Sequence, residues 1–258
     1  MDTLSVVILT KNEEDRIRNC LESVKWADEI IIVDDCSADR TVEICREYTD
    51  KIFRKKLSNF SLQREFGAGK ATGTWILRLD ADEVVTPALR EDIAGVLKNG
   101  TDCDAFMIYR ANFYLNKKIR YCGWFLRAAL LLRRGKCSYD GRIVHEDVVV
   151  HGKTGNLDNM ILHYSYRKLS DHFSKMDLYT SYGAEELWIK GVRMHIFNYP
   201  FYFFIKPVLV FFRKYIMMQG FREGMRGVFI SVITAFIVFM NYAKLWEKQK
   251  AAADQKKV

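Results

Sequence analysis

Within the first 85 residues, a short apolar run gives way four times to a segment of helical periodicity. The runs are Leu4–Thr10, Glu29–Asp35, Lys51–Arg54 and Trp75–Asp80. Each is four to seven residues long, and the first, second and fourth lack the polar alternation of a half-exposed strand, so those read as strands covered on both faces. After the first run, Ile17, Cys20, Leu21 and Val24 share one side of a helix. After the second, Val42, Ile44, Cys45 and Tyr48 do so, with Ser37 or Asp39 placed to cap. Phe60–Ala71 and the segment from Thr86 supply two more helices. Strand alternating with helix in this way predicts an α/β fold with a mostly parallel sheet and right-handed crossovers.

In an open sheet of that kind, ligands bind beyond the carboxyl ends of the strands. Thr10, Glu13, Asp35 and Asp80 all fall there, at the ends of the first, second and fourth runs. Such an edge suits a nucleotide: a carboxylate at Asp35 can accept the imide N–H of a uracil, and Asp80 can reach a ribose hydroxyl. An NAD-type site also places an acid after its second strand, but it needs a glycine-rich first turn. Here that turn is Thr-Lys-Asn-Glu-Glu, so the dinucleotide reading fails on sterics. The fourth run ends Leu-Asp-Ala-Asp-Glu. Asp80 and Asp82 can aim hard oxygen ligands at one Mg²⁺ or Mn²⁺, which can in turn hold a diphosphate. The alternative is an acidic turn that leads into the helix from Thr86.

Four segments together resemble a GT-A-fold glycosyltransferase of family 2: Val-Val-Ile-Leu-Thr-Lys-Asn-Glu-Glu (6–14), Ile-Ile-Val-Asp-Asp-Cys-Ser-Ala-Asp-Arg-Thr (31–41), Gln-Arg-Glu-Phe-Gly (63–67) and Leu-Asp-Ala-Asp-Glu (79–83). Within that family the chain is most similar to the lipopolysaccharide-core β-glucosyltransferases. Val-His-Glu (144–146), His-Tyr-Ser-Tyr (163–166), Lys-Met (175–176) and Tyr-Ala-Lys-Leu-Trp-Glu (242–247) carry the closer match. The resemblance implies an inverting transfer of a hexose from a UDP-sugar, UDP-glucose first, to a glycolipid or lipopolysaccharide-core acceptor. It implies that Thr10, Glu13 and Asp35 hold the nucleoside, that Arg64 lies near the uracil or diphosphate, and that Asp80 touches ribose or metal. Asp82 is then the metal ligand, with His163 as a late histidine completing the Mg²⁺ or Mn²⁺ site. The base that deprotonates the acceptor hydroxyl is a loop carboxylate, Glu146 in preference to its neighbour Asp147.

Asp104–Arg110, Ala128–Arg133 and Met160–Leu162 read as further strands, with a turn at Asn116-Lys117. Tyr121-Cys-Gly-Trp-Phe125 is a candidate acceptor pocket or core. Arg133 and Arg134 are candidates for an anionic ligand or for plain surface. Leu169–Gly191 reads as an amphipathic helix. Pro200 and Pro207 are expected to break the aromatic stretch Phe197–Phe212, and Gly227–Ala243 is an uncharged run at the lower limit for spanning a bilayer. Gly220, Gly224, Gly227, Ser231, Thr234 and Asn241 form a small or polar stripe suited to helix contact. The net charge is +8, and residues 196–258 carry ten Lys/Arg against three acids, so nearly all of it lies in this part. Basic residues among aromatics suit an anionic membrane surface. No nucleic-acid motif is visible.

The expected organisation is a catalytic domain over 1–168, with a nucleotide-sugar half to about 110 and an acceptor half after it. A membrane-apposed helical extension over 169–250 follows, then a Lys-rich disordered tail over 251–258. The C-terminal helices are also a candidate homo-oligomer interface. The six cysteines show no CxxC spacing and are expected to be reduced. The chain enters a strand pattern at Leu4, so no signal peptide is expected. The site expected is the cytoplasm, peripheral on the cytosolic face of an inner membrane. Two competing functions are a metal-dependent sugar nucleotidyltransferase, which needs a glycine-rich phosphate loop missing after the first strand, and a non-catalytic sugar-nucleotide or carbohydrate-binding module, which would not need the acids.

Overall fold

The computed structural model describes residues 2–56, 59–139 and 148–255. They form two compact units. One comprises Met1–Asn112 and Leu126–Ser165, the other Phe113–Phe125 and Tyr166–Val258. The unit boundary therefore differs from the expected one: residues 113–125, expected in the acceptor half, belong with the C-terminal helices.

The first part of the chain runs β1 (Leu4–Thr10), α1 (Ile17–Val24), β2 (Glu29–Asp34), α2 (Thr41–Cys45), β3 (Ile52–Arg54), α3 (Phe60–Lys70), β4 (Trp75–Asp80), β5 (Glu83–Val85) and α4 (Pro87–Asn99). Strands then dominate: β6 (Ala105–Tyr114), β7 (Lys117–Lys118), β8 (Phe125–Arg133), β9 (Cys137–Tyr139), β10 (Val148–Val150) and β11 (Thr154–Tyr166). The main sheet has the order β3-β2-β1-β4-β8-β6-β11-β5, with β7 on β6. β3, β2, β1 and β4 are mutually parallel, whereas β8 joins β4 and β11 joins β5 antiparallel.

The alternation of side chains along β1 explains its unbroken apolar sequence. Leu4, Val6 and Ile8 enter a core that includes Ile17, Leu21, Leu89 and Ile93 from α1 and α4. Val7 and Leu9 enter a second core on the opposite face, with Ala71 and the partly buried Phe66 and Ala68 of the α3 segment. Helices thus cover both faces, the condition under which a strand drops its polar alternation. α3 lies especially close to the sheet at Gly67: a Cβ there would stand 2.5 Å from Val7 Cγ1 and 3.0 Å from Val33 Cγ2.

Side-chain caps set the starts of two helices. Asn59 caps α3 by accepting from Leu62 N, and Thr86 caps α4 by accepting from Leu89 N, with Pro87 in the first turn. At α2 the N-cap is Arg40, without a side-chain bond; Ser37 instead accepts from Asn12 N at 2.9 Å, and Asp39 accepts from Thr41 N at 3.0 Å. The β6–β7 turn is at Leu115-Asn116, one residue earlier than expected, and both residues have positive φ (49° and 61°).

In the second unit, α5 (Leu169–Ile189) is followed by a helical stretch made of a π turn (Phe201–Ile205), α6 (Lys206–Phe212) and another π turn (Arg213–Met217). Pro200 and Pro207 do not break it. Pro200 precedes its first turn, and at the missing donor of Pro207 the helix widens, Lys206 N bonding to Phe201 O. A 3₁₀ turn (Gly220–Glu223) leads into α7 (Met225–Gln255). Residues 251–255, expected as a disordered tail, are its last turn. Gly220, Gly227 and Asn241 of the small-residue stripe make close contacts inside this unit, whereas Gly224 faces open space. A Cβ on Gly227 would strike Gly220 O, and one on Gly183 of α5 would strike the Asn241 side chain.

Candidate active site

Sheet register brings the sequence-predicted acids together. Thr10 pairs with Asp34 across β1 and β2, Leu9 pairs with Asp80 across β1 and β4, and Glu83 pairs with His163 across β5 and β11. Asp35 N donates to Thr10 O at 2.9 Å, and Ala81 N to Leu9 O at 3.1 Å. Thr10, Asp35, Asp80 and Asp82 therefore stand at one carboxyl edge of the parallel strands. The Thr10 hydroxyl is buried there with no hydrogen-bond partner among the described residues, a polar group of the kind an incoming ligand satisfies.

Two arginines compensate the charge of Asp80. Arg64 of α3, itself buried, pairs with its Oδ1 and also donates to Leu79 O at 3.0 Å. Arg110 of β6 reaches Asp80 Oδ2 at 3.8 Å and Glu83 Oε1 at 2.6 Å. Asp80 N donates to Glu83 Oε2 at 2.9 Å. Desolvation would push the Asp80 carboxyl up, but Arg64 and then Arg110 hold it below the usual carboxylate range. Desolvation also works against the Arg110 charge, and Glu83 and Asp80 raise its pKa nonetheless.

Asp82 is buried, and His163 and Arg16 are among its partners. His163 Nε2 lies 3.4 Å from its Oδ1, and Arg16 Nη1 lies 3.8 Å from its Oδ2. The other imidazole nitrogen, Nδ1, is 2.6 Å from Asn112 Oδ1, and Ser165 Oγ approaches both. An amide oxygen only accepts, so Nδ1 carries a proton and Nε2 is the nitrogen turned to Asp82. Burial pulls the His163 pKa down, but the Asp82 charge and hydrogen bond raise it above the ordinary histidine value. Glu13 pairs with Arg16 Nε at 2.5 Å, so Arg16 links Glu13 to Asp82. Asp35 pairs with Lys11 at 2.7 Å.

One buried carboxylate and one imidazole with its second nitrogen already bonded are a donor set that fits a divalent cation with open positions. Among the described residues no group of three or more His, Cys, Asp or Glu converges as a metal cage; two protein ligands leave the remaining positions to water or phosphate. Glu146 and Asp147 lie in 140–147, outside the described residues.

Lys11 and Glu83 lie in the segments 6–14 and 79–83 without a role of their own there, and Arg16, Arg110 and Asn112 were not marked by the sequence as members of this edge. Their signal is spatial. Asn112 and His163 are 51 positions apart, and a lone arginine or asparagine inside a strand carries no motif. Arg133 and Arg134 are placed elsewhere: Arg133 pairs across the sheet with Trp75, at the start of β4, and Arg134 donates to Gly73 O at 2.9 Å. They stand at the amino edge of the parallel strands and bond backbone carbonyls, away from the acids.

The Glycosyl transferase family 2 profile matches residues 5–146. The chain is 28% identical to an uncharacterized glycosyltransferase of Rickettsia felis over 96% of this chain and 90% of that protein. It is 26% identical to the lipopolysaccharide core biosynthesis glycosyltransferase LpsC of Rhizobium meliloti, over 97% and 94%. Among solved structures it is similar to S. aureus TarS 1-349, with a TM-score of 0.50 and 13% identity over 94% of this chain and 91% of that one.

Proposed function

The chain belongs to glycosyl transferase family 2 and has a GT-A fold, and from that premise we propose that it transfers a hexose, with inversion, from a UDP-sugar to a lipopolysaccharide-core or other lipid-linked saccharide. One observation carries the donor half of the reading: the acids at the carboxyl edge of β1, β2 and β4 stand with a histidine whose Nε2 faces Asp82. The name of the LpsC relative supports the acceptor class, and UDP-glucose is the first donor to try.

Each residue then has a task. The unsatisfied Thr10 hydroxyl and the Asp35 carboxylate bind the nucleoside, and Glu13 anchors Arg16 beside them. Arg64 and Arg110 keep Asp80 ionised and fixed for a ribose hydroxyl or the metal shell. Asp82 and His163 hold Mg²⁺ or Mn²⁺, which when bound neutralises charge on the leaving diphosphate. Glu146 takes the proton of the acceptor hydroxyl, with Asp147 as the alternative base.

The test is a panel of UDP-hexoses, read both as UDP release and as thermal stabilisation with and without Mn²⁺. A matching donor at about 100 times its Kd should stabilise the fold by about 2.7 kcal/mol. Glu146→Gln should keep that stabilisation and lose transfer by roughly a hundredfold or more. Stabilisation by no UDP-sugar in either condition would reject the donor class. Normal turnover by Glu146→Gln with a dead Asp147→Asn would exchange the two carboxylates.

A further inference from the structure

The second unit exposes a continuous apolar helix face. Phe201, Phe204, Val208, Phe212 and Ile216 recur at spacings of three and four along α6 and its flanking π turns. All five are exposed, Phe204 at 68% and Phe212 at 53%. The opposite side of the same helix is satisfied: Tyr202 stacks on Tyr242 of α7 at 4.2 Å, and Pro207 is buried. Scattered exposed apolar side chains are ordinary on a protein surface, but an aligned row of large ones marks a site that something covers.

Charge says what covers it. Between Ile196 and Arg226 the sequence holds Lys206, Arg213, Lys214, Arg222 and Arg226, and one acid, Glu223. Glu223 is buried and accepts from Arg120 N at 2.7 Å and Tyr121 N at 3.1 Å, so it offers no anion to a partner. Arg213 and Arg222 are exposed, while Lys206, Lys214 and Arg226 reach the Tyr242 hydroxyl and the Cys122 and Leu115 carbonyls; a second copy of this chain would bring the same exposed cations against this rim. An anionic lipid surface would bring the opposite charge, with hydrocarbon beneath it for the aromatic row. We propose that the outer face of residues 201–216 seats in the interface of an anionic bilayer, with the helix lying in the membrane plane.

The packing of α7 argues for lying over crossing. This helix is long and apolar enough to span, with a mean hydropathy of 1.9 over its best window. It is, however, bound along α5: Lys244 pairs with Asp177 at 2.7 Å, and Lys248 with Glu185. α5 also carries Asp171, Lys175, Glu186 and Lys190 at its surface or end, and hydrocarbon does not admit such a helix. Toward its other end, Ile230 packs with Tyr114, Ile119 and Cys122 around the β6–β7 turn, and irregular backbone is excluded from lipid unless protein covers it. α7 is therefore tied at both ends to water-facing structure. The proposal does not rest on glycosyl transfer, since neither the row nor its rim includes a residue assigned to the reaction.

The test uses the full-length protein and preformed vesicles, read by flotation. It should float with phosphatidylglycerol-containing vesicles and much less with pure phosphatidylcholine. High salt should reduce binding without abolishing it, because salt screens the cations and leaves the apolar contribution. Bound protein should redistribute to a second vesicle population added later, which a spanning helix does not do. The combined Phe204→Asp, Val208→Asp and Phe212→Asp variant should bind at least about tenfold less, with an unchanged thermal midpoint, and these exposed positions leave the inner packing intact. Single-population trapping, or a native protein that ignores anionic vesicles, overturns the proposal. So does a native dimer that the triple variant makes monomeric while vesicle binding is unaffected; the face would then belong to a second copy.

Discussion

Asn112 shows how much of a site can rest on a residue with no motif. Its amide oxygen accepts the Nδ1 proton of His163, which leaves Nε2 as the nitrogen facing Asp82. Replacing a partner that fixes a ligating histidine costs typically 10–100-fold in metal affinity. Asn112→Ala is therefore expected to weaken Mn²⁺ binding by roughly that factor, measured by calorimetry or electron paramagnetic resonance, with the fold intact. Asp82→Asn should lose more, because it removes the anionic ligand itself. Mn²⁺ affinity unchanged in both variants would remove the metal from this pair. The acids were legible in the sequence because strand periodicity alone places Thr10, Asp35 and Asp80 at one edge. Their countercharges were not. Arg110 and Asn112 sit on β6, and only the order β8-β6-β11 brings that strand beside the acids. Pairing of segments so far apart along the chain leaves no local trace in its sequence.

At the scale of elements, α3 is a spacer set by one glycine. It carries Arg64 to Asp80, and its distance from the sheet is fixed where Gly67 meets Val7 and Val33. Neither valine can swing away, since both are buried in strands. Gly67→Ala should cost about 1–3 kcal/mol by overpacking, read as a lower urea midpoint, and should weaken nucleotide binding because Arg64 moves with the helix. A variant as stable as the native protein would show that α3 tilts freely. His172 on α5 gives a second test. Its ring stacks on Tyr166 at 4.1 Å, its Nδ1 lies 3.2 Å from the Tyr114 hydroxyl, and burial pushes its pKa down to about 4. A histidine that must be neutral to fold contributes stability that is complete above its unfolded value near 6.5. That contribution fades as pH falls toward 4, by at most about 1.4 kcal/mol per pH unit. The urea midpoint should drop between about pH 7 and pH 5, and His172→Phe should flatten that slope. These elements were legible where a cap or a period marks them, as with Thr86 before α4. The helix through Pro207 was not, because a π turn absorbs the missing donor and sequence rules count only the loss.

For the whole molecule, the uneven charge yields a kinetic consequence. Of a net +8, all but one unit falls after residue 195, in the part of the chain that carries the aromatic row. The acids of the candidate site all precede it. Asp80 and Asp82 have internal partners, Arg64 and Arg110 for the first and Arg16 and His163 for the second, and Asp35 pairs with the exposed Lys11. Ionic strength should therefore act on the two halves of the proposed reaction differently. Buried pairs are screened little, whereas each Lys or Arg near an anionic surface loses most of its ~1 kcal/mol as the Debye length shrinks from about 10 Å at 0.1 M salt to about 3 Å at 1 M. Donor hydrolysis and UDP binding should change by less than about twofold over that range, the behaviour of shielded charge. Transfer to an acceptor carried in anionic vesicles should fall by roughly tenfold or more, through an increase in apparent KM, as a few such contacts weaken. Transfer to the same saccharide freed of its lipid should follow the donor and stay nearly flat. Equal salt sensitivity for the vesicle-borne and free acceptors would place the effect in the catalytic site and detach the basic C-terminal part from acceptor capture.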